Sequence, residues 1–168
     1  MPGEPDSYNF VVARWLDGPL TNHASVLEQM ISRLRPGGWL VLADITPTPP
    51  RTYRATDSDT DGHLIHTAMT QIHNTITNAD GGTWGVAVDA LLAGNRMTQI
   101  CARTASETWA GGGPGCRLLA ETAQRLRPTL TDAGLTDPNL DRFVALMTNP
   151  HVLLGCFERR VIHARKGI

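Results

Sequence analysis

Apolar and polar positions follow two rhythms along this chain. Tyr8-Asn9-Phe10-Val11-Val12-Ala13-Arg14-Trp15-Leu16 is an almost continuous apolar run, which predicts a strand buried on both faces in the middle of a parallel sheet. From Asn22 to Leu34 the period becomes helical: Val26, Leu27, Met30, Ile31 and Leu34 fall on one stripe, and Asn22 or Thr21 is placed to cap the start. Pro36-Gly37-Gly38 stops that helix and turns the chain into a second buried strand, Trp39 to Ala43. Strand, helix and strand make a right-handed crossover with the two strands parallel. The chain therefore reads as the second half of a βαβ-built enzyme.

Beyond Asp44 the pattern loosens. Ile45-Thr46-Pro47-Thr48-Pro49-Pro50 cannot extend the strand, and a polar Asp- and Thr-rich loop is expected through Gly62. A helix is predicted from His63 to Asn78, a turn at Asp80-Gly81-Gly82, a second helix from Trp84 to Ala93, and a strand from Met97 to Ala105. Trp109-Ala110-Gly111-Gly112-Gly113-Pro114-Gly115 reads as a flexible loop that shapes a lid or a substrate loop. Helices follow over Cys116 to Arg127, over a short segment after Pro128 that ends at Gly134, and from Asp137 or Pro138 to Met147. Val152 to Ala164 reads as one last strand, broken at Glu158-Arg159-Arg160. The expected organisation is a single domain over 1–168: strand–helix–strand over 8–44, a helical insertion over 45–96, and closing strands and helices over 97–168.

Composition narrows the function classes. The 168 residues are enough to bury a core without staples, and a 41% hydrophobic, 18% charged composition is that of a globular protein. The net charge of −1 and the scattered basic residues give no signature of a nucleic-acid or membrane partner. No apolar run is long enough to span a bilayer, the first residues lack the regions of a signal peptide, and a cytoplasmic location is expected. Cys101, Cys116 and Cys156 are widely spaced and form no CxxC pair, so they read as buried free thiols.

Taken together, Asn9-Phe10-Val11-Val12-Ala13-Arg14, Leu27-Glu28-Gln29-Met30 and Leu34-Arg35-Pro36-Gly37-Gly38-Trp39-Leu40-Val41-Leu42-Ala43-Asp44 resemble the fourth and fifth strands of class I S-adenosylmethionine-dependent methyltransferases. Asp80-Gly81-Gly82-Thr83-Trp84-Gly85, Trp109-Ala110-Gly111-Gly112, Leu126-Arg127-Pro128, Ala133-Gly134-Leu135, Asp141-Arg142-Phe143 and Asn149-Pro150 resemble the tail of a bacterial small-molecule methyltransferase group. The resemblance covers residues 8 to 168. It implies an α/β fold: a partial doubly wound, Rossmann-like sheet, mostly parallel with an antiparallel last strand, plus a helical insertion. It also implies the strand order three, two, one, four, five, seven, six, of which this chain supplies four, five, seven, six. The family binds its cofactor through a glycine-rich turn after its first strand and an acidic residue ending its second, and this sequence carries neither motif.

The resemblance sets the candidate sites beside the residues' own chemistry. Arg14 and Trp15 end the first strand, where open α/β sheets place ligands, and are the cofactor-binding candidates. A salt bridge from Arg14 to Asp17 or Asp44 is the structural alternative. Asp44 ends the neighbouring strand and is a candidate acid/base or substrate anchor. His63, His66 and His73 share one helix face by their spacing. His66 and His73 are the candidate bases and His63 a substrate contact. A metal site built with Asp59 and Asp61 lacks any strict ligand motif, and no metal is expected. Trp84 and Trp109, each near a glycine, are candidate walls for a flat substrate, or else covers of the core edge.

Two functions of different class follow. In the first, the chain is one subunit of a split S-adenosylmethionine-dependent methyltransferase acting on a small molecule, perhaps of specialised metabolism. A companion chain brings the cofactor-binding half, or a second copy pairs the first strand, because an open apolar edge invites association. In the second, the chain is a repurposed half-domain, either a cofactor-independent cyclase or isomerase or a noncatalytic scaffold.

Overall fold

The computed structural model describes residues 4–14, 22–56, 58–77, 84–155 and 157–168, with residues 84–86 as backbone only. In chain order the elements are β1 (Tyr8–Arg14), α1 (His23–Arg33), β2 (Leu34–Ile45), β3 (Arg51–Arg54), α2 (Asp59–Thr77), α3 (Trp84–Gly94), β4 (Met97–Ala105), β5 (Thr108–Ala110), α4 (Pro114–Arg125), α5 (Arg127–Asp132), α6 (Asp137–Leu146), β6 (Leu153–Gly155) and β7 (Arg159–Lys166). They divide into two compact units. The first comprises Met1–Pro47, Asp80–Ala105 and Arg159–Ile168, and the second Thr48–Ala79 and Ser106–Glu158.

The first unit is a four-stranded sheet in the order β1-β2-β7-β4. β1 pairs parallel with β2, and β7 pairs antiparallel with both β2 and β4. Three strands thus run one way and the last runs against them, in the order and directions expected. Asn22 caps α1: its Oδ1 accepts the Ser25 backbone N–H at 3.1 Å, one of the donors that the first helical turn leaves unpaired. Leu27, Met30 and Ile31 face the sheet from that helix, and Val88 and Leu92 do so from α3. They meet Val11, Leu40, Leu42, Ile162 and Ala164, the residues of one pleat face.

Gly37 adopts φ +76°, a conformation that a side chain would strain, and its carbonyl accepts Arg165 Nε–H at 3.0 Å. The Pro36-Gly37-Gly38 turn bulges within the start of β2, so the register jumps from Tyr8–Leu34 to Phe10–Trp39.

β1 departs from expectation in burial. Only Val11 is buried, while Phe10 is 55% and Val12 49% exposed. The pleat sends alternate residues to opposite faces, and α1 and α3 cover one of them.

The second unit packs α2, α4, α5 and α6 with a three-stranded antiparallel sheet of order β3-β6-β5. Its core holds Ile65, Met69, Ile72, Leu119, Leu130, Leu140, Phe143 and Leu146. Where a polar loop is expected, β3 forms, and the following helix begins at Asp59 rather than His63. The apolar stretch over 152–164 divides into β6 and β7, which belong to different sheets.

The glycine run after Trp109 is also not a lid. Trp109 lies in β5, Gly111 N–H donates to Val152 O at 2.9 Å, and Gly112 N–H donates to Met147 O at 2.7 Å. A Cβ on Gly111 would stand 1.8 Å from the Asn149 carbonyl oxygen, so only glycine lets the two backbones meet. A Cβ on Gly115 would stand 2.0 Å from Trp109 Cδ2, because the indole lies on the first turn of α4. Gly115→Ala is expected to destabilise by about 1–3 kcal/mol through overpacking. In a Trp109→Ala background the same change is expected to cost little. Thermal unfolding of the four proteins in a double-mutant cycle measures this coupling, and additive effects would refute it.

Candidate functional site

A crevice of about 380 Å³ opens in the first unit where β1 and β2 end, lined by Val12, Arg14, Val41, Ala43, Asp44, Ala105, Arg159 and Val161. Its place follows from the strand directions: the carboxyl ends of β1, β2 and β4 meet the amino end of the reversed β7. Register builds the wall. Val12 lies beside Val41, and Ala43 lies between Arg14 and Val161.

Arg14 is exposed and has no hydrogen-bond or ion-pair partner among the described residues, so the alternative of a salt bridge to Asp44 is not formed. Asp17 and Trp15 lie outside the described residues. Asp44 Oδ1 accepts its neighbour's N–H, that of Ile45, at 3.0 Å, which fixes the carboxyl at the strand's end. The crevice thus offers an apolar wall, one carboxylate and two guanidinium groups, those of Arg14 and Arg159. Such a set holds an organic anion or zwitterion beside an apolar body.

The remaining candidates sit on the second unit or at the edge of description. His63 and His66 are exposed on α2, whereas His73 is buried with its ring centroid 5.6 Å from that of Phe157. The shared face expected from their spacing is therefore divided between solvent and core, and the three do not converge. Trp109 donates its indole N–H to Glu107 Oε2 at 3.3 Å and spends its ring on Gly115. Trp84 opens α3, and its side chain lies outside the described residues. Cys116 is buried, and burial pushes its thiol pKa up; Cys101 is exposed, contrary to expectation, and Cys156 lies outside the described residues.

Asp61 is engaged otherwise than in a metal site. Arg142 donates Nε–H to Oδ1 at 3.0 Å and Nη2–H to Oδ2 at 2.7 Å, and Thr56 donates its hydroxyl to Oδ2 at 2.6 Å. Among the described residues no cluster of three His, Cys, Asp or Glu residues suits a metal ion.

Sequence reading missed Val12, Val41, Val161 and Arg159 as lining. Their odd–even alternation was the available signal. It also missed a smaller recess of about 140 Å³ in the second unit, where Arg51, Tyr53 and Ser106 surround Glu158 and Thr48 donates its hydroxyl to Glu158 Oε1 at 2.8 Å.

Compared with solved structures, the whole chain superposes on 68% of a Bacillus halodurans protein described as a methyltransferase, at 16% identity and a TM-score of 0.51. It likewise covers 68% of the YcgJ protein of Bacillus subtilis, at 12% identity and a TM-score of 0.52. The chain has a methyltransferase-like fold. No family model matches it, and no curated protein does. At these identities the likeness is one of fold.

In the methyltransferase-like fold the crevice occupies the carboxyl end of the sheet, the end at which open α/β sheets take their ligands. No helix among the described residues is long and apolar enough to cross a membrane.

The Arg142 clasp, and next the Thr56 hydroxyl, hold the Asp61 carboxyl below the usual carboxylate range. A depressed folded pKa contributes stability that is present above the unfolded value of about 3.9 and is lost as pH falls through the folded value. The gap in melting temperature between the native chain and Asp61→Asn is therefore expected to be widest above about pH 5 and to close in stronger acid. Thermal melts across that range test it, and a gap independent of pH would refute the assignment.

Proposed function

We propose that this chain forms the acceptor side of a small-molecule methyltransferase whose sheet is completed by a companion polypeptide carrying the glycine-rich turn. The crevice at the ends of β1 and β2, with the unpartnered Arg14 beside Asp44, carries this reading. The free edge of β1, at the end of the sheet order, is where the companion strand pairs.

The residues present fit one side of S-adenosylmethionine. Arg14 suits a carboxylate, and Val12, Val41 and Val161 offer an apolar wall. The backbone cradle for the rest of the cofactor belongs to the companion. When bound, the cofactor supplies an electrophilic methyl group on a sulfonium. The chain's own residues then bind, orient and deprotonate: Arg14 anchors a carboxylate, the valines exclude water, and Asp44 anchors the acceptor and takes its proton as the new bond to the methyl forms. The exposed His66 is a second candidate for that proton. His73, buried against Phe157, is placed for packing.

The chain is to be purified alone and with the companion, and S-adenosylmethionine binding followed by calorimetry. Binding is expected only in the complex. There, Arg14→Ala is expected to weaken it about tenfold, and Asp44→Asn to lower kcat by about a hundredfold or more while leaving cofactor affinity intact. No binding in any complex would overturn the proposal. Substrate conversion by the isolated chain without cofactor would favour the cyclase or isomerase reading.

A further inference from the structure

The two faces of the first unit's sheet are covered differently. α1 and α3 bury Leu40, Leu42, Ile162 and Ala164 on one face. On the other, Phe10, Val12 and Val161 stand 55%, 49% and 41% exposed. Register makes these three part of one continuous stripe, because Phe10 lies beside Trp39, Val12 beside Val41, and Val161 beside Ala43. A contiguous apolar surface of this kind marks an interaction site.

The charge on this face has one sign. Alternation places Arg14, Arg103, Arg159 and Arg165 around the stripe, and the Arg165 guanidinium lies 5.9 Å from the Trp39 ring centroid. The four strands contain a single acidic residue, Asp44, which shares its alternation with Leu40 and Leu42 on the opposite face. The covered face shows how such a cation is matched: Arg160 of β7 donates Nη2–H to Asp89 Oδ2 of the overlying α3.

We infer that the open face seats an amphipathic helix with an apolar stripe and acidic flanks, carried by the same polypeptide that pairs the free edge of β1. The inference rests on the reading that a companion completes the sheet, and adds the chemistry by which that companion is recognised. A second copy of this chain laid on the face would set four arginines against four. A lipid surface matches apolar and cationic groups, but it cannot supply the ordered donors and acceptors that the adjoining β1 edge requires.

Methyl NMR of the full chain tests this with a synthetic helix of about 18 residues, Leu and Ala on one face and Glu on the other, against a counterpart with Lys for Glu. The glutamate helix is expected to shift the Val12, Val41 and Val161 methyls but not those of Val11 and Val88. It is expected to bind about tenfold or more tightly than the lysine helix, a preference that falls with added salt. Arg103→Glu, at an exposed position, is expected to reduce that preference several-fold.

Equal binding of the two helices would overturn the inference. So would shifts confined to the covered face, self-association of the chain through Val12 and Val161, or binding of phosphatidylglycerol vesicles in place of either helix. The cofactor takes no part in this measurement. A glutamate helix that binds while no complex takes up S-adenosylmethionine would sink the methyltransferase reading alone. A companion that pairs β1 and binds the cofactor while leaving Val12 and Val161 exposed would sink this one alone.

Discussion

The pairing of β2 on both sides governs the first unit. Its parallel partner β1 and its antiparallel partner β7 take their registers from it, and through them every side chain of the crevice receives its position. Because β7 runs against the other three strands, its amino end, with Arg159, comes to the end of the sheet where β1 and β2 deliver Arg14 and Asp44. A last strand running with the others would bring its carboxyl end there instead. The chemistry of the crevice is therefore a consequence of strand direction as much as of composition.

The second unit is organised by a different principle. Its apolar core is ordinary, but its junctions are made by groups that allow no substitution without rearrangement: Gly111 against the Asn149 carbonyl, Gly115 under the Trp109 ring, and Asp61 in the two-pronged grip of Arg142. A glycine chosen for close approach and one chosen for freedom are the same letter, which is why the run after Trp109 reads as a mobile loop and is in fact a tightly seated turn.

Strand order, the reversed last strand and the Asn22 cap were legible because each has a local signature: an apolar run, a helical stripe, a capping side chain. What was not legible depends on contacts. The run over 152–164 carries one continuous apolar signal although its two parts join different sheets, and only their partners distinguish them. The apolar character of β1 states that burial is favoured, not that a covering layer is present. The spacing of His63, His66 and His73 fixes their angles about α2, but Phe157, far along the chain, decides that His73 is inside. Arg14 and Asp44 were found because strand ends are readable. The valines between them needed the register.

Among the 15 basic residues Lys166 is the single lysine, and its ammonium donates to Asp6 Oδ1 at 2.8 Å and to the Leu34 carbonyl at 2.6 Å. Asp6 precedes β1, Leu34 opens β2 and Lys166 closes β7, so one flexible side chain ties together three strands at the end of the sheet opposite the crevice. A primary amine is also chemically distinct from the guanidinium groups that supply every other side-chain cation here. An acylating reagent that reaches Lys166 would remove a positive charge from that junction at a single side chain, making the lysine a built-in reporter of whether the far end of the sheet is closed.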